Sequence, residues 1–314
     1  MAGIDYIDFS LGSDTLDCVD VVEQFPAKKP PEVDTHAWAQ EFCRTRNLDV
    51  VTVERARGIT DVCRGLLTDF FKNASISGPD IDLLIYGGEI EHGEGGSRPF
   101  RLAHEFDMPD TIRFMWHFMG CATGLSAVTT ALEHLHASGG TDALVLLNCT
   151  IRDEVAHPRF MADMVCGDAV MLLHVTTRPA TWEVVSDHST AMTKHADYGF
   201  DPSVPLDPFV IVQRGVAHLR EHLGPCGVDG IAAIMPVYNG FAQWPRFARA
   251  LAYPVERIRL DTLPRGAHID SIDPLRSLAE LDDEFEPGSE IVLYAQTLGI
   301  TFNSVLVRRG GPSS

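Results

Sequence analysis

Phe118-Met119-Gly120-Cys121-Ala122-Thr123-Gly124-Leu125 is the stretch on which the reading of this chain turns. Residues 112–117 before it make a short strand-like run. Residues 122–137 after it are rich in Ala and Leu and read as a buried helix, closed by Gly139 and Gly140. A cysteine at such a junction stands where unpaired backbone N–H groups and the positive helix end favour an anion. Its thiol is expected to have a lowered pKa and more of the nucleophilic thiolate. The small residues Gly120, Ala122 and Gly124 let the turn be tight, and strand–turn–helix junctions present nucleophiles in other covalent enzymes. Free cysteines are mostly small buried hydrophobes. That reading is given to Cys18, Cys43, Cys63, Cys149, Cys166 and Cys226.

Working outward, apolar strand-like runs alternate with amphipathic helix-like ones. Residues 4–11, 81–86, 142–149 and 165–175 read as strands, and 37–46 and 53–73 as helices. The second half repeats the rhythm. Residues 211–223 read as a helix, 231–235 as a strand, 247–251 and 275–281 as helical, and 291–295 as a strand. A loop over 299–302 and a closing strand over 304–308 complete it. Alternation with buried strands predicts an α/β fold with helices around and between sheets. Both halves end in similar strand pairs. The chain therefore reads as a structural duplication, residues 1–175 carrying the nucleophile and residues 176–314 the other active-site loops. The glycine-rich run 87–97 matches neither phosphate-binding spacing, and Glu89, Glu91 and Glu94 would repel phosphate, so it reads as a loop.

With 314 residues, 45% of them hydrophobic, the chain can bury a large core. A net charge of −19 without a basic face argues against nucleic-acid binding. An anionic donor would need a local basic patch. Arg246, Arg249, Arg257, Arg259 and Arg265 lie close in sequence, but read as solvated positions. No CxxC pair, secretory signal or run of about 20 apolar residues is present, so a cytoplasmic protein with free thiols and no membrane span is expected. His218 and His222 have the i, i+4 spacing of a zinc pair. They lack the glutamate of HExxH and read as a solvated helix face, and no metal is expected.

Further segments follow the Cys121 turn in a telling order. They are Asp142-Ala143-Leu144-Val145-Leu146-Leu147, Cys166-Gly167-Asp168-Ala169-Val170, Ile234-Met235-Pro236-Val237-Tyr238-Asn239, the loop from Arg265 through His268 to Asp273, and Gly299 to Ser304. Together with the turn they resemble the ketoacyl-ACP synthase III family of the thiolase superfamily over nearly the whole chain. The resemblance implies an α/β thiolase-like fold with a duplicated five-layer α-β-α-β-α architecture, a dimer, and a cysteine that accepts an acyl group from a thioester.

The family uses a Cys–His–Asn set, and here the pattern departs from it. The His position falls on Val237, or on Tyr238 if the match slips by one. The Asn position falls on His268 or Ala267. The set that the resemblance implies is Cys121 with His268, with Asn239 and Asp273 close by and Asp273 orienting His268. The oxyanion would be held by the Cys121 N–H and a backbone N–H near Gly299, and Tyr238 and Phe302 are assigned to substrate binding. This pattern is similar to divergent synthase III-like proteins of polyketide and other specialised metabolism, some of which pass acyl groups to hydroxyl or amine acceptors. The expected activity is acyl transfer from an acyl-CoA or an acyl-carrier protein, through Cys121, to a second substrate. No permanently bound cofactor is expected, and the carried acyl group rides on phosphopantetheine. Two other readings stand beside it: a carbon–carbon condensing enzyme, and a catalytically silent partner in a heterodimer with a paralogue. Retention of Cys121 in its small-residue turn opposes the last.

Overall fold

A strand covered on both faces reads as an unbroken apolar run, and 142–149 is such a strand, with every residue buried. The structure, a computed structural model, describes residues 1–24, 30–88, 97–109, 113–117, 119–151, 159–161, 164–191, 208–224, 227–238, 243–297 and 301–311. The strands are β1 Gly3–Leu11, β2 Asp14–Asp17, β3 Val50–Val53, β4 Leu83–Gly88, β5 Arg113–His117, β6 Asp142–Cys149, β7 Phe160–Met161, β8 Met164–Val165, β9 Ala169–Thr176, β10 Trp182–Ala191, β11 Ile231–Pro236, β12 Arg265–Gly266, β13 Glu290–Thr297 and β14 Thr301–Arg309. The helices are α1 Cys18–Glu23, α2 Thr35–Arg46, α3 Ile59–Asn73, α4 Arg98–Glu105, α5 Thr123–Ser138, α6 Pro208–Leu223, α7 Trp244–Leu251 and α8 Asp273–Glu280.

A nine-stranded sheet has the order β11-β13-β14-β10-β1-β9-β6-β4-β5. Outward from β1, the pairs β1–β9 and β9–β6 are antiparallel and β6–β4 and β4–β5 parallel. Outward from β10, β10–β14 and β14–β13 are antiparallel and β13–β11 parallel. Next to β11, where β5 stands in the other part, Ile234 makes a parallel bridge with Ile258. The two parts thus repeat one strand plan. They meet at β1 and β10 through the partners Gly3↔Glu183 and Ile4↔Trp182.

Side-chain alternation along these strands sets the layers. Leu84, Tyr86, Leu144, Leu146 and Leu172 pack on Val62, Leu66 and Phe70 of α3 and Leu102 of α4. Their neighbours Ile85, Val145, Leu147 and Leu173 face the other way, onto Leu125, Val128 and Leu132 of α5. Met235, Leu293 and Val305 of the second part join that same cluster with Leu275 and Leu278 of α8. The far face of the second part, through Ile234, Val292 and Leu306, is covered by Val216 of α6 and Phe247 of α7. Helices α5 and α8 are therefore sandwiched between two sheet faces, with α3 and α4 outside one and α6 and α7 outside the other. Each fully buried Leu or Ile contributes about 1.5–3 kcal/mol.

Three expected elements differ. Residues 53–73 do not form one helix: β3 ends at Val53 and α3 starts after Gly58, with Glu54 and Arg57 paired in the link. The run 165–175 breaks at 166–168, because the Asp168 carboxylate leaves the ladder to accept from Glu54 N, Ile151 N and Arg159. Thr301 and Phe302, expected in a loop, already pair within β14. No helix among the described residues is long and apolar enough to cross a membrane.

Candidate active site

Cys121 stands between β5 and α5, at the N-terminal end of a helix whose first turn is pinned from the other part of the chain. Thr297, the last residue of β13, donates its hydroxyl to the Met119 carbonyl at 2.8 Å and accepts from Ala122 N–H at 3.2 Å. Thr123 Oγ1 accepts from Met119 N–H at 2.8 Å. Gly120 takes φ +54°, and a Cβ there would lie 2.7 Å from the Thr297 methyl, so glycine is required on both counts. At Gly124 a Cβ would meet the Ser271 carbonyl oxygen at 2.5 Å. The nucleophile helix thus lies directly against the loop that carries His268.

That loop is held to the first part of the chain by backbone pairing. His268 N–H donates to the Val165 carbonyl, and Gly167 N–H donates to the His268 carbonyl. His268 is buried, and its Nε2 lies 3.6 Å from Cys121 Sγ. On its far side Nδ1 lies 2.6 Å from Asp273 Oδ2. Asp273, the first residue of α8, is fully buried and also accepts from Tyr238 N–H and Ile269 N–H, each at 3.0 Å. A carboxylate taking two backbone donors leaves Nδ1 as the third, so the network places the ring proton on Nδ1 and the acceptor lone pair at Nε2, facing the sulfur. Cys121, His268 and Asp273 thus stand in line as thiol, imidazole and carboxylate, the geometry that a nucleophile, a base and its orienting group require.

Asp270 escaped the reading of the sequence. Its carboxyl is buried and lies with Cys121 and His268 in a group whose donor atoms are all within 4.8 Å of one another. Its backbone takes φ +54°, and Ala267 takes +61°. Left-handed backbone at non-glycine residues on both sides of His268 marks a loop whose shape is imposed by its surroundings. No spacing rule announces this carboxyl, because its approach to the sulfur depends on that turn.

The expected lowering of the Cys121 pKa is overturned. Burial, then the Asp270 carboxyl, then Cys166 and Asp273 push the thiol well above its ordinary value. The N–H groups that were to stabilise a thiolate are already engaged, Ala122 with Thr297 and Thr123 with the Gly120 carbonyl. Burial likewise raises Asp270, opposed first by His268. The group placed to take a proton from the sulfur is His268, whose Nε2 lies 3.6 Å from Sγ.

The other expected residues part company. Val237 packs in the central cluster against which Cys121 also rests, whereas Tyr238 points the opposite way, its hydroxyl donating to the Arg46 carbonyl at 2.7 Å. The two neighbours thus belong to different clusters, Tyr238 packing with Leu263 and Ala267, and its hydroxyl is turned away from Cys121. Phe302 lies in the outer cluster with Val216 and Phe247, on the far sheet face, and does not reach the site. Asn239 and Gly299 lie outside the described residues. Described cysteines other than Cys121 are buried, and Cys226 lies outside the described residues. Ser126 donates to Met119 Sδ. Of the arginines close in sequence, Arg259 pairs with Asp261 and Glu284, and Arg265 with Glu280.

His218 and His222 do not sit on a solvated helix face. His218 is buried between the hydroxyls of Thr190 at 2.8 Å and Ser304 at 2.9 Å, and His222 meets Ser304 at 2.6 Å and Ser186 at 2.9 Å. Burial first, then His188 and His222, push His218 down to about 3.

No family model matches the sequence, and no curated protein matches it. Solved structures do match in shape over nearly the full length. The acyltransferase ChlB3 superposes with a TM-score of 0.80 at 17% identity, over 99% of this chain and 98% of that one. The 1,3,6,8-tetrahydroxynaphthalene synthase of Streptomyces coelicolor A3(2), a bacterial type III polyketide synthase, gives 0.79 at 17% identity, over 99% of this chain and 100% of that one. The 3-oxoacyl-[acyl-carrier-protein] synthase III of Aquifex aeolicus VF5 gives 0.75 at 14%, over 98% and 100%. The repeated strand order, the two central helices and these likenesses identify the chain as a protein of thiolase-like fold.

Proposed function

We propose that the protein is an acyltransferase that carries its acyl group as a thioester on Cys121. The observation that supports this is the relay itself: Cys121 Sγ 3.6 Å from His268 Nε2, with His268 Nδ1 2.6 Å from Asp273. His268 takes the thiol proton as the sulfur attacks the carbonyl carbon of an acyl-CoA or acyl-carrier thioester. The tetrahedral oxyanion is assigned to the Cys121 N–H. Collapse expels the donor's thiol, which takes the proton back from Nε2. In the second half, His268 deprotonates a hydroxyl or amine that attacks the acyl-cysteine; the second tetrahedral adduct collapses with rupture of the Cys121 S–C bond, and the sulfur takes the proton back from Nε2. No bound cofactor enters either half. Val237 in the central cluster offers no imidazole beside the sulfur, which favours transfer to a heteroatom over decarboxylative condensation. Pairing of two chains, with a copy or with a paralogue, belongs to this reading, as does a place in polyketide or other specialised metabolism.

Intact-protein mass after incubation with a panel of acyl-CoA and acyl-carrier thioesters tests it. A gain of one acyl group that is absent in Cys121→Ala is expected. A folded protein that takes no acyl group from any donor would sink the proposal.

A further inference from the structure

Three side chains of different chemistry converge at the head of α5. Cys121 Sγ, a ring nitrogen of His268 and a carboxylate oxygen of Asp270 all lie within 4.8 Å of one another. The sulfur stands 3.6 Å from His268 Nε2. On a tetrahedral zinc ion, a thiolate at about 2.3 Å and an imidazole at about 2.0 Å are held roughly 3.5 Å apart. The Cys121–His268 pair already has that separation. The Asp270 oxygen completes the trio with a movement of at most about 1.5 Å.

The surroundings prepare these groups as ligands. His268 turns a lone pair at Nε2 toward the sulfur, because Nδ1 is paired with Asp273, itself fixed by the Tyr238 and Ile269 N–H groups. A carboxylate behind the imidazole is the outer partner that metal-ligating histidines carry. The loop is also set in place. His268 pairs through its backbone with Val165 and Gly167, and Ala267 and Asp270 take left-handed backbone on either side of it. His268 and Asp270 are buried, whereas Cys121 is half-buried, and an ion would enter on its side. Sulfur, nitrogen and oxygen donors together favour a borderline ion such as Zn²⁺ over Mg²⁺ or Ca²⁺, which take oxygen ligands. Among the described residues, no other three such groups bring their donor atoms together. His218 and His222, the pair with zinc-like spacing, meet hydroxyls at both ring nitrogens.

We propose that Cys121, His268 and Asp270 form a binding site for a divalent transition-metal ion of the zinc type, which holds the nucleophile in a reversible off state. The thiol proton leaves to solvent as the sulfur–metal bond forms, and nothing is oxidised or reduced. Nε2 and the Asp270 carboxylate make the second and third bonds. A sulfur and an Nε2 that are both bound to the ion are withheld from an arriving thioester. Capture of the ion needs no acyl chemistry; only the off state rests on the acyl-transfer reading.

Cobalt(II), a coloured stand-in for zinc, tests the site on the full chain without an acyl donor. Titration is expected to give one ion per chain, with a sulfur-to-cobalt charge-transfer band in the near ultraviolet and the strong visible bands of a four-coordinate ion. Zn²⁺ should erase both. Cys121→Ser should abolish the charge-transfer band. Asp270→Ala is expected to weaken cobalt affinity about 100-fold, and Asp270→Asn, which keeps the shape should the Ala variant not fold, about tenfold. A wild-type protein without the charge-transfer band overturns the proposal. So does a band that persists in Cys121→Ser, or an affinity that neither Asp270 variant changes. The second measurement is alkylation of Cys121 by iodoacetamide, followed by peptide mass. Zn²⁺ at roughly ten times its Kd is expected to slow alkylation about tenfold, and a chelator to restore it. An unchanged rate overturns the proposal. Neither readout uses a thioester, so a protein that binds cobalt at Cys121 yet takes no acyl group keeps the metal site and loses only the acyl-transfer reading.

Discussion

The Thr297 hydroxyl closes the Cys121 turn by donating to the Met119 carbonyl at 2.8 Å. The same oxygen accepts from Ala122 N–H at 3.2 Å, so one side chain from β13 fixes both ends of the turn around the nucleophile. Replacing Thr297 with Val keeps the shape and removes both bonds. A small displacement of a nucleophile costs about tenfold to 100-fold in rate. Cys121 acylation in Thr297→Val is therefore expected to fall by that factor while the thermal midpoint moves little. Acylation at the wild-type rate would mean that the turn holds itself.

Asp273 selects the tautomer of His268. An Asn there offers an amide where an acceptor is needed, next to the Tyr238 and Ile269 N–H groups as well as Nδ1. In Asp273→Asn the acylation rate is expected to drop roughly 10³- to 10⁴-fold, as tautomer loss does in comparable relays. A buried mispaired donor costs a further 1–3 kcal/mol or so of stability. Rate and urea midpoint, measured together, separate the two effects. A variant that is destabilised but acylates normally would remove Asp273 from the relay.

Acid should weaken the fold through His218. In the unfolded chain a histidine takes its proton near pH 6.5. The folded His218 resists until about 3, because burial opposes the charge. Between those values the unfolded chain binds more protons, so this contribution is complete above pH 6.5 and is lost as pH falls toward 3. The slope is at most about 1.4 kcal/mol per pH unit. Urea midpoints between pH 6.5 and 5 are expected to decline less steeply in His218→Gln. Equal slopes in the two proteins would place the acid sensitivity elsewhere.

A methyl group at Gly124 would collide with the Ser271 carbonyl, 2.5 Å away. The obstacle is backbone on one side and helix on the other, so one of them must shift. Gly124→Ala is expected to cost about 1–3 kcal/mol. It should also slow acylation, because the displaced loop carries His268. A stable, fully active Ala variant would contradict the close contact between α5 and that loop.

Much of this was legible from residue patterns. The strand of 142–149 and the helix before it appear with nearly their observed ends, since apolar runs closed by Gly139 leave little ambiguity. Cys121 and His268 could be paired in advance only through the resemblance to the synthase III family, and the structure brings them within 3.6 Å. Strand β10 was not seen. Its sequence, WEVVSDHSTA, buries little beyond Trp182 and alternates intermediate with exposed positions, a weak signal beside the saturated strands. Tyr238 was misassigned because nothing in the sequence shows that its hydroxyl turns to the Arg46 carbonyl, 192 residues away. The depression expected at Cys121 failed for a different reason. A helix start can be read from sequence, but the burial of the sulfur and the approach of the Asp270 carboxyl, which push the thiol up, depend on a loop that arrives from the far half of the chain.

The seam between the two parts of the sheet has a consequence for a chain still being made. Everything that arms the sulfur, including the base, its orienting carboxylate and the Thr297 clip, is encoded after residue 235, while the cysteine is encoded at 121. A growing or partly opened chain would thus carry a thiol without its base. On the proposed reading, reactivity would arise only when the last quarter of the polypeptide docks against the part that carries the cysteine, so that the chemistry is interlocked with completion of the fold.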